Sequence, residues 1–317
     1  MITPDSAAHD RAIEASEATR PEAARVRSLE WSVRRELWQN PWILIGPLAA
    51  GFILIASFVL GMIVAPERVA GLLALAAERH DAAGREHGFA TTAAAAMVAL
   101  GALMVGVFYC LDALQGERLD RSILFWKSLP VSDVTTVLSK ACIPLVVLPL
   151  LVFAVTLGVQ GLMLLTSTFA LIATGRDPAA LWRELPLLEM PVVLLYSIVV
   201  MTSLHAPLYA WLLMVSAWAR RRAALWAFLP PLGIIAAERM VFGQSRLRDL
   251  IERLIMGPFA PSFALDPTRA APPPVIDRIT QLDPAAVFGR PGVWIGLGLT
   301  AAFLFIAIRL RRDREPT

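Results

Sequence analysis

The chain has 317 residues, 57% of them hydrophobic and 17% charged, with a mean hydropathy of +0.62 and a formal net charge of +3. Soluble domains hold about 45–50% apolar and about 25% charged residues. The excess here is gathered into runs long enough to cross a bilayer, which takes about 20 residues. An ordinary soluble domain is thereby excluded, and an all-α, multi-pass membrane protein is expected. A net charge of this size points to no nucleic-acid partner; the basic residues bear on topology instead.

Residues 1–24 are rich in Ala, Glu and Asp without periodicity and read as a mobile N-terminal tail. No short apolar core comes early enough for a cleavable signal peptide. From Arg25 to Asn40, Val26, Leu29, Val33 and Leu37 recur at helical spacing. Trp31 and Trp38 sit on another face among Arg27, Arg34 and Arg35, a mixture suited to a helix lying in the membrane interface. The first span is expected over 42–64, with Pro66 beyond it. The link 67–90 carries His80, Asp81, Glu86 and His87, whose spacing fits no zinc motif. The second span, about 92–114, is built on Ala, Gly, Val and Leu, small enough for close helix approach.

Between spans 2 and 3 lies a polar stretch, ERLDRSILFWKSLPVSD, residues 117–133. Glu117, Arg118, Asp120 and Arg121 crowd its start, Trp126 follows in a short apolar run, Pro130 stops any helix, and Ser132-Asp133 can cap the next one. It reads as a handle that a partner grips. The third apolar segment, 137–174, exceeds one crossing and contains Pro144 and Pro149, so a long, kinked or tilted helix is expected on the handle side. Span 4 is expected over 190–218, a tight turn at Arg220-Arg221-Arg222, and span 5 over 224–240. Glu238-Arg239 suggests an interfacial ion pair. The link 241–291 contains an amphipathic pattern at Leu247, Leu250, Ile251, Leu254 and Ile255, then Pro272-Pro273-Pro274. Span 6, about 293–308, opens beside a Gly292/Gly296 pair, a packing signal for helices of one subunit or of two.

Six spans place both termini on one side. The N-terminal segment, handle, Arg220 turn and C-terminal tail together carry seventeen of the 29 Lys and Arg residues. Those regions are therefore expected in the cytoplasm, with the link 241–291 outside.

The sequence contains no G-x-x-x-x-G-K-[ST] phosphate loop, H-E-x-x-H or G-x-S-x-G. No catalytic residue, cofactor or metal site is expected. Cys110 and Cys142 lie in or beside apolar segments as small hydrophobes. His205 is the one imidazole deep in a span, a candidate proton relay or a histidine bonded to a neighbouring helix. A carrier driven by its own ion coupling would show intramembrane carboxylates and paired broken helices. Neither is visible, so energy for transport would enter from outside the chain.

The stretch YCLDALQGERLDRSILFWKSLPVSDVTTVLSK, residues 109–140, with RELWQNPW at 35–42 and the six-span layout, resembles the permease subunits of bacterial ABC-2 type exporters over about 25–312. The resemblance implies an interfacial helix, six spans and a coupling helix within the cytoplasmic loop 115–136 that docks on a separate ATPase subunit. Two permease copies, identical or not, and two ATPases would work together in the inner membrane. Residues 313–317 would be a short tail. The coupling residues are then Glu117, Arg118, Leu119, Asp120, Arg121, Ile123, Trp126 and Lys127. On a helix Leu119, Ile123 and Trp126 share a face that could fill an apolar groove, with the charges setting register. The apolar spans suit a hydrophobic or amphipathic substrate, in contact with membrane lipid. The alternative is a scaffold or anchor subunit that holds a cytoplasmic partner without transport.

Overall fold

The computed structural model describes residues 22–64, 83–119, 132–173, 175, 177–184, 187–255, 279, 282 and 284–313. Among these no strand occurs, and six helices are long and apolar enough to cross a membrane. Helix α1 spans Glu22–Gln39 and α2, the first span, Trp42–Val64. The second span is α3, Ala83–Ala113, extended by the short α4, Gln115–Leu119. The third runs from α5, Asp133–Cys142, through a π turn at Ile143–Val147 into α6, Leu148–Ala173. After α7, Ala179–Glu184, come span 4 (α8, Glu189–Trp218) and span 5 (α9, Ala223–Phe242). Helices α10, Arg246–Ile255, and α11, Pro284–Phe288, precede span 6 (α12, Pro291–Asp313).

Span 4 is central, packing on spans 2, 3, 5 and 6, most extensively on span 6, while spans 1, 2 and 3 pack on one another. Small residues set these approaches. A Cβ added at Gly46 would lie 2.5 Å from Val105 of span 2, and one at Gly51 2.8 Å from Val155 of span 3. At Gly106 of span 2 it would meet the ring of Tyr209 on span 4 at 2.7 Å. Of the Gly292/Gly296 pair, Gly296 packs within the subunit against Pro207, and Gly292 has nothing within 4 Å.

The expected long third helix is continuous from Asp133 to Ala173. Pro144 has no N–H to give the preceding turn and its ring crowds the carbonyl four residues back, so the helix widens there into a π turn, with Leu148 N–H reaching Ile143 O. Its start is capped as expected: the Ser132 hydroxyl accepts from Thr135 N–H at 3.2 Å. Span 5 carries Pro230 and Pro231. Pro231 leaves the Ala227 carbonyl without its usual helical donor, and the Trp211 indole of span 4 donates to that oxygen at 3.4 Å.

Glu238 departs from expectation. Rather than pairing with Arg239, its carboxylate accepts from the Ser245 hydroxyl at 2.6 Å and from Leu247 N–H at 3.1 Å. Ser245 in turn accepts from Arg248 N–H, so both residues cap α10. Open donors at a helix start outcompete a surface ion pair for that carboxylate.

Candidate functional site

The handle grows from α4, and the structure describes it as far as Leu119. Asp120, Arg121, Ile123, Trp126 and Lys127 lie outside the described residues. Leu119 is exposed, whereas Glu117 and Arg118 both turn inward, in different directions.

Glu117 enters a chain of ionised groups of alternating sign. Arg35 meets Glu36 at 2.9 Å, Glu36 meets Lys140 at 3.0 Å, and Lys140 meets Glu117 at 3.0 Å. Glu117 meets Arg311 at 2.6 Å, and Arg311 meets Asp133 at 2.8 Å. The Tyr109 hydroxyl donates to the second oxygen of Glu36 at 2.9 Å. Three cations face three anions, so the cluster is neutral. The side chains of Glu36, Lys140 and Arg311 are 1%, 3% and 4% exposed. Burial this deep requires pairing, because a lone charge out of water costs several kcal/mol. The groups come from α1, span 2 with α4, the start of span 3 and the end of span 6.

Arg118 turns the other way. Its guanidinium donates to Leu114 O, to Ala219 O at 2.8 Å and to Ser216 O, placing a cation on the last carbonyls of span 4. The Ser216 hydroxyl donates to Leu111 O at 2.8 Å and accepts from the N–H groups of Leu114 and Gln115, stitching the break between α3 and α4 to span 4. Gln115 completes the set: its Oε1 accepts from Ala223 N–H at 3.0 Å, capping span 5. That cap follows a turn in which Arg222 adopts φ 55, a left-handed conformation that costs a non-glycine residue energy unless neighbours hold it. The five residues of α4 and their immediate neighbours thus touch α1 and spans 3, 4, 5 and 6.

Helix α1 is locked to the same end. Its buried face centres on Ser32 and Glu36, with Val33 and Leu37 beside them, while Trp31 and Trp38 are 62% and 70% exposed. Arg34 lies over both rings at 5.7 and 5.0 Å. Asn40 and Pro41 then turn the chain into span 1: Asn40 N–H and Nδ2 both reach Glu36 O, and Pro41 O accepts from Leu44 and Ile45.

Sequence reasoning picks out Glu117 but not its partners Lys140 and Arg311, nor Arg35, Glu36 and Asp133, which complete the chain. A signal existed. Lys140 is one of only two lysines and follows the apolar Val137 by three positions, on the side of a helix that is buried. Glu36 sits between Val33 and Leu37 of the apolar stripe. Every ionised member except Arg311 falls inside 35–42 or 109–140, two stretches that the fold brings together. His205 is buried 6.4 Å from the Tyr209 ring centroid, edge to face. Among the described residues no group of three or more His, Cys, Asp or Glu could hold a metal, and the link around His80 and Asp81 lies outside them.

Comparison of the chain with protein-family models, with curated proteins and with solved structures returns no match.

Proposed function

We propose that the chain is the permease subunit of an ABC-2 type exporter. In this reading two copies line a path across the bacterial inner membrane, and a separate ATPase subunit moves them through the handle. The observation that supports it most is the root of the handle. A push on residues 120–131 is delivered to α4, and α4 is tied by buried ion pairs and capping bonds to α1 and four other spans. A loop that only filled space would need no such anchorage. Closure of an ATP-loaded ATPase dimer would displace the handle, and the ion chain would carry that displacement to spans 3 and 6 together. Orientation follows the arginine and lysine count, with handle and termini in the cytoplasm. The six spans are apolar over most of their length, which suits a hydrophobic or amphipathic cargo better than an ion.

The test is purification of the tagged chain in mild detergent from its native host. A Walker-motif ATPase is expected to come with it, and Trp126→Ala is expected to remove the ATPase while leaving abundance and monodispersity unchanged. A chain that purifies alone, or an ATPase retained by the Trp126 variant, overturns the coupling assignment. Retention of a different cytoplasmic protein favours the scaffold alternative.

A further inference from the structure

A groove of about 480 Å³ opens between spans 2 and 5 at the handle end. Its walls are apolar: Leu103, Val107 and Phe108 on span 2, Leu212 on span 4 and Phe228 on span 5. Its polar groups are confined to the handle end, where Asp112, Gln115 and Arg222 line it. At about 1.5 Å per residue, Leu103 lies about 18 Å from Gln115 along the helix axis. One leaflet of hydrocarbon is about 15 Å deep. The groove therefore runs from the headgroup level to about the bilayer midplane, the space of a lipid chain in one leaflet.

The charges fit one headgroup. Asp112 and Arg222 line the same groove, and neither forms an ion pair with a described residue. Gln115 is 7% exposed, and Ala223 N–H fixes its amide by binding Oε1. Its Nε2, a donor, has no acceptor among the described residues. A buried donor without an acceptor is unfavourable, because its lost hydration is not replaced, and a ligand oxygen would supply the missing partner. Beside it the first turn of span 5 presents the positive end of a 20-residue helix, with Arg222 at its N-cap. The handle end of the groove thus offers donors for an anion and, at Asp112, a carboxylate for a cation.

We infer that this groove binds a zwitterionic phospholipid carrying a primary ammonium, a phosphatidylethanolamine. Its phosphate lies at Arg222 and Gln115 Nε2, its ammonium at Asp112, and one acyl chain runs along Phe108 to Leu103. The inference stands apart from the transport reading, because it needs only the groove and a bilayer.

The purified chain, titrated in detergent with phosphatidylethanolamine, phosphatidylcholine and phosphatidylglycerol of one acyl composition, is read by native mass spectrometry for bound lipid. Phosphatidylethanolamine is expected to bind about tenfold more tightly than the other two, the worth of one charge-assisted hydrogen bond. Phosphatidylcholine keeps the phosphate but cannot donate to Asp112; phosphatidylglycerol lacks the cation. Asp112→Asn is expected to abolish that preference while leaving thermal stability without lipid unchanged, since Asp112 is exposed. Arg222→Gln is expected to weaken all three lipids. Equal binding of the three by the unaltered chain, a preference for phosphatidylglycerol, or an Asp112→Asn variant that still prefers phosphatidylethanolamine overturns the site.

Discussion

Spans 4 and 5 follow one another through the turn Ala219–Arg222, and both are apolar enough to cross a bilayer, yet half of span 4's most apolar window is buried against 6% of span 5's. In water such a difference would be written in hydrophobicity. In a bilayer the lipid is as apolar as a protein core, so hydrophobicity does not sort the two. Other residues do. Span 4 turns Ala206, Ala210, Ser216 and Ala217 inward with His205 and Tyr209, and buries Leu194, Ile198, Leu212 and Leu213 beside them. Span 5 presents Leu225, Phe228, Leu229, Leu232 and Ile234 outward and has only Ala223 and Ala227 buried. The interior combines a core that includes Ile43, Leu103, Ile143, Leu148, Leu212 and Leu213 with close backbone approach, hydrogen bonds and ion pairs, whereas the large side chains of span 5 face outward.

The contrast can be broken most severely at the ion chain. Lys140→Met would leave Glu36 and Glu117 facing each other without the cation between them, both buried. The expected loss is about 3–5 kcal/mol, the usual effect of removing one partner of a buried pair. It would be read as a fall in thermal stability and in the monodisperse fraction on size exclusion. Combining Lys140→Met with Glu117→Gln is expected to recover part of it, because a neutral amide no longer needs that partner. A single variant as stable as the unaltered chain would mean that the chain of charges does not hold the handle end together. A leucine exchanged for alanine on the outer face of span 5, at Leu229, is the contrasting control and is expected to change stability by less than about 0.5 kcal/mol.

The next effect belongs to the small residues. Gly106→Ala drives a Cβ to 2.7 Å from Cε1 and 3.0 Å from the hydroxyl of Tyr209, a ring that is itself buried. Spans 2 and 4 must then separate or the ring must turn, an overpacking cost of about 1–3 kcal/mol. Removing the ring as well, with Tyr209→Leu, is expected to abolish the penalty in a double-mutant cycle. Additive effects in that cycle would show that the two positions are not in contact.

How much of this was legible beforehand follows from the same physics. Span 1 is found where it was expected, and so are the long third helix, its distortion at Pro144, the Ser132 cap and the Arg220 turn; each is dictated by neighbours in sequence. The ion chain was not legible as a unit. Arg35 and Arg311 stand at opposite ends of the chain, and each was counted as an ordinary membrane-flanking arginine. Nothing local distinguishes Arg311, which is buried, from Arg309, which lies over the Phe305 ring. By sequence Lys140 counts only as one more cation beside the handle, yet it is a core residue of span 3 whose charge is matched by Glu36 of α1 and Glu117 of α4. Glu238 was misread for a related reason. Its sequence neighbour Arg239 suggested a pair, but the start of α10 supplied better donors. Pairing over long separations is set by the packing of spans, and hydropathy carries little of that information.

The smallest expected effect has the opposite sign. Gly233 lies on the exposed side of span 5, just after Pro230 and Pro231, and a Cβ there has nothing within 4 Å. Glycine in a helix interior is disfavoured by roughly 0.5–1 kcal/mol relative to alanine, because it loses more backbone freedom on ordering. Gly233→Ala is therefore expected to stabilise the chain by about that amount, where Gly106→Ala destabilises it. If span 5 instead needs to flex at Pro230-Pro231 when the handle moves, Gly233→Ala would raise thermal stability while slowing turnover of a reconstituted complex. The two readouts separate a helix whose glycine merely fills space from one whose glycine permits bending. Gly233→Ala with lower stability would place a neighbour against span 5, as a second copy of the chain would do.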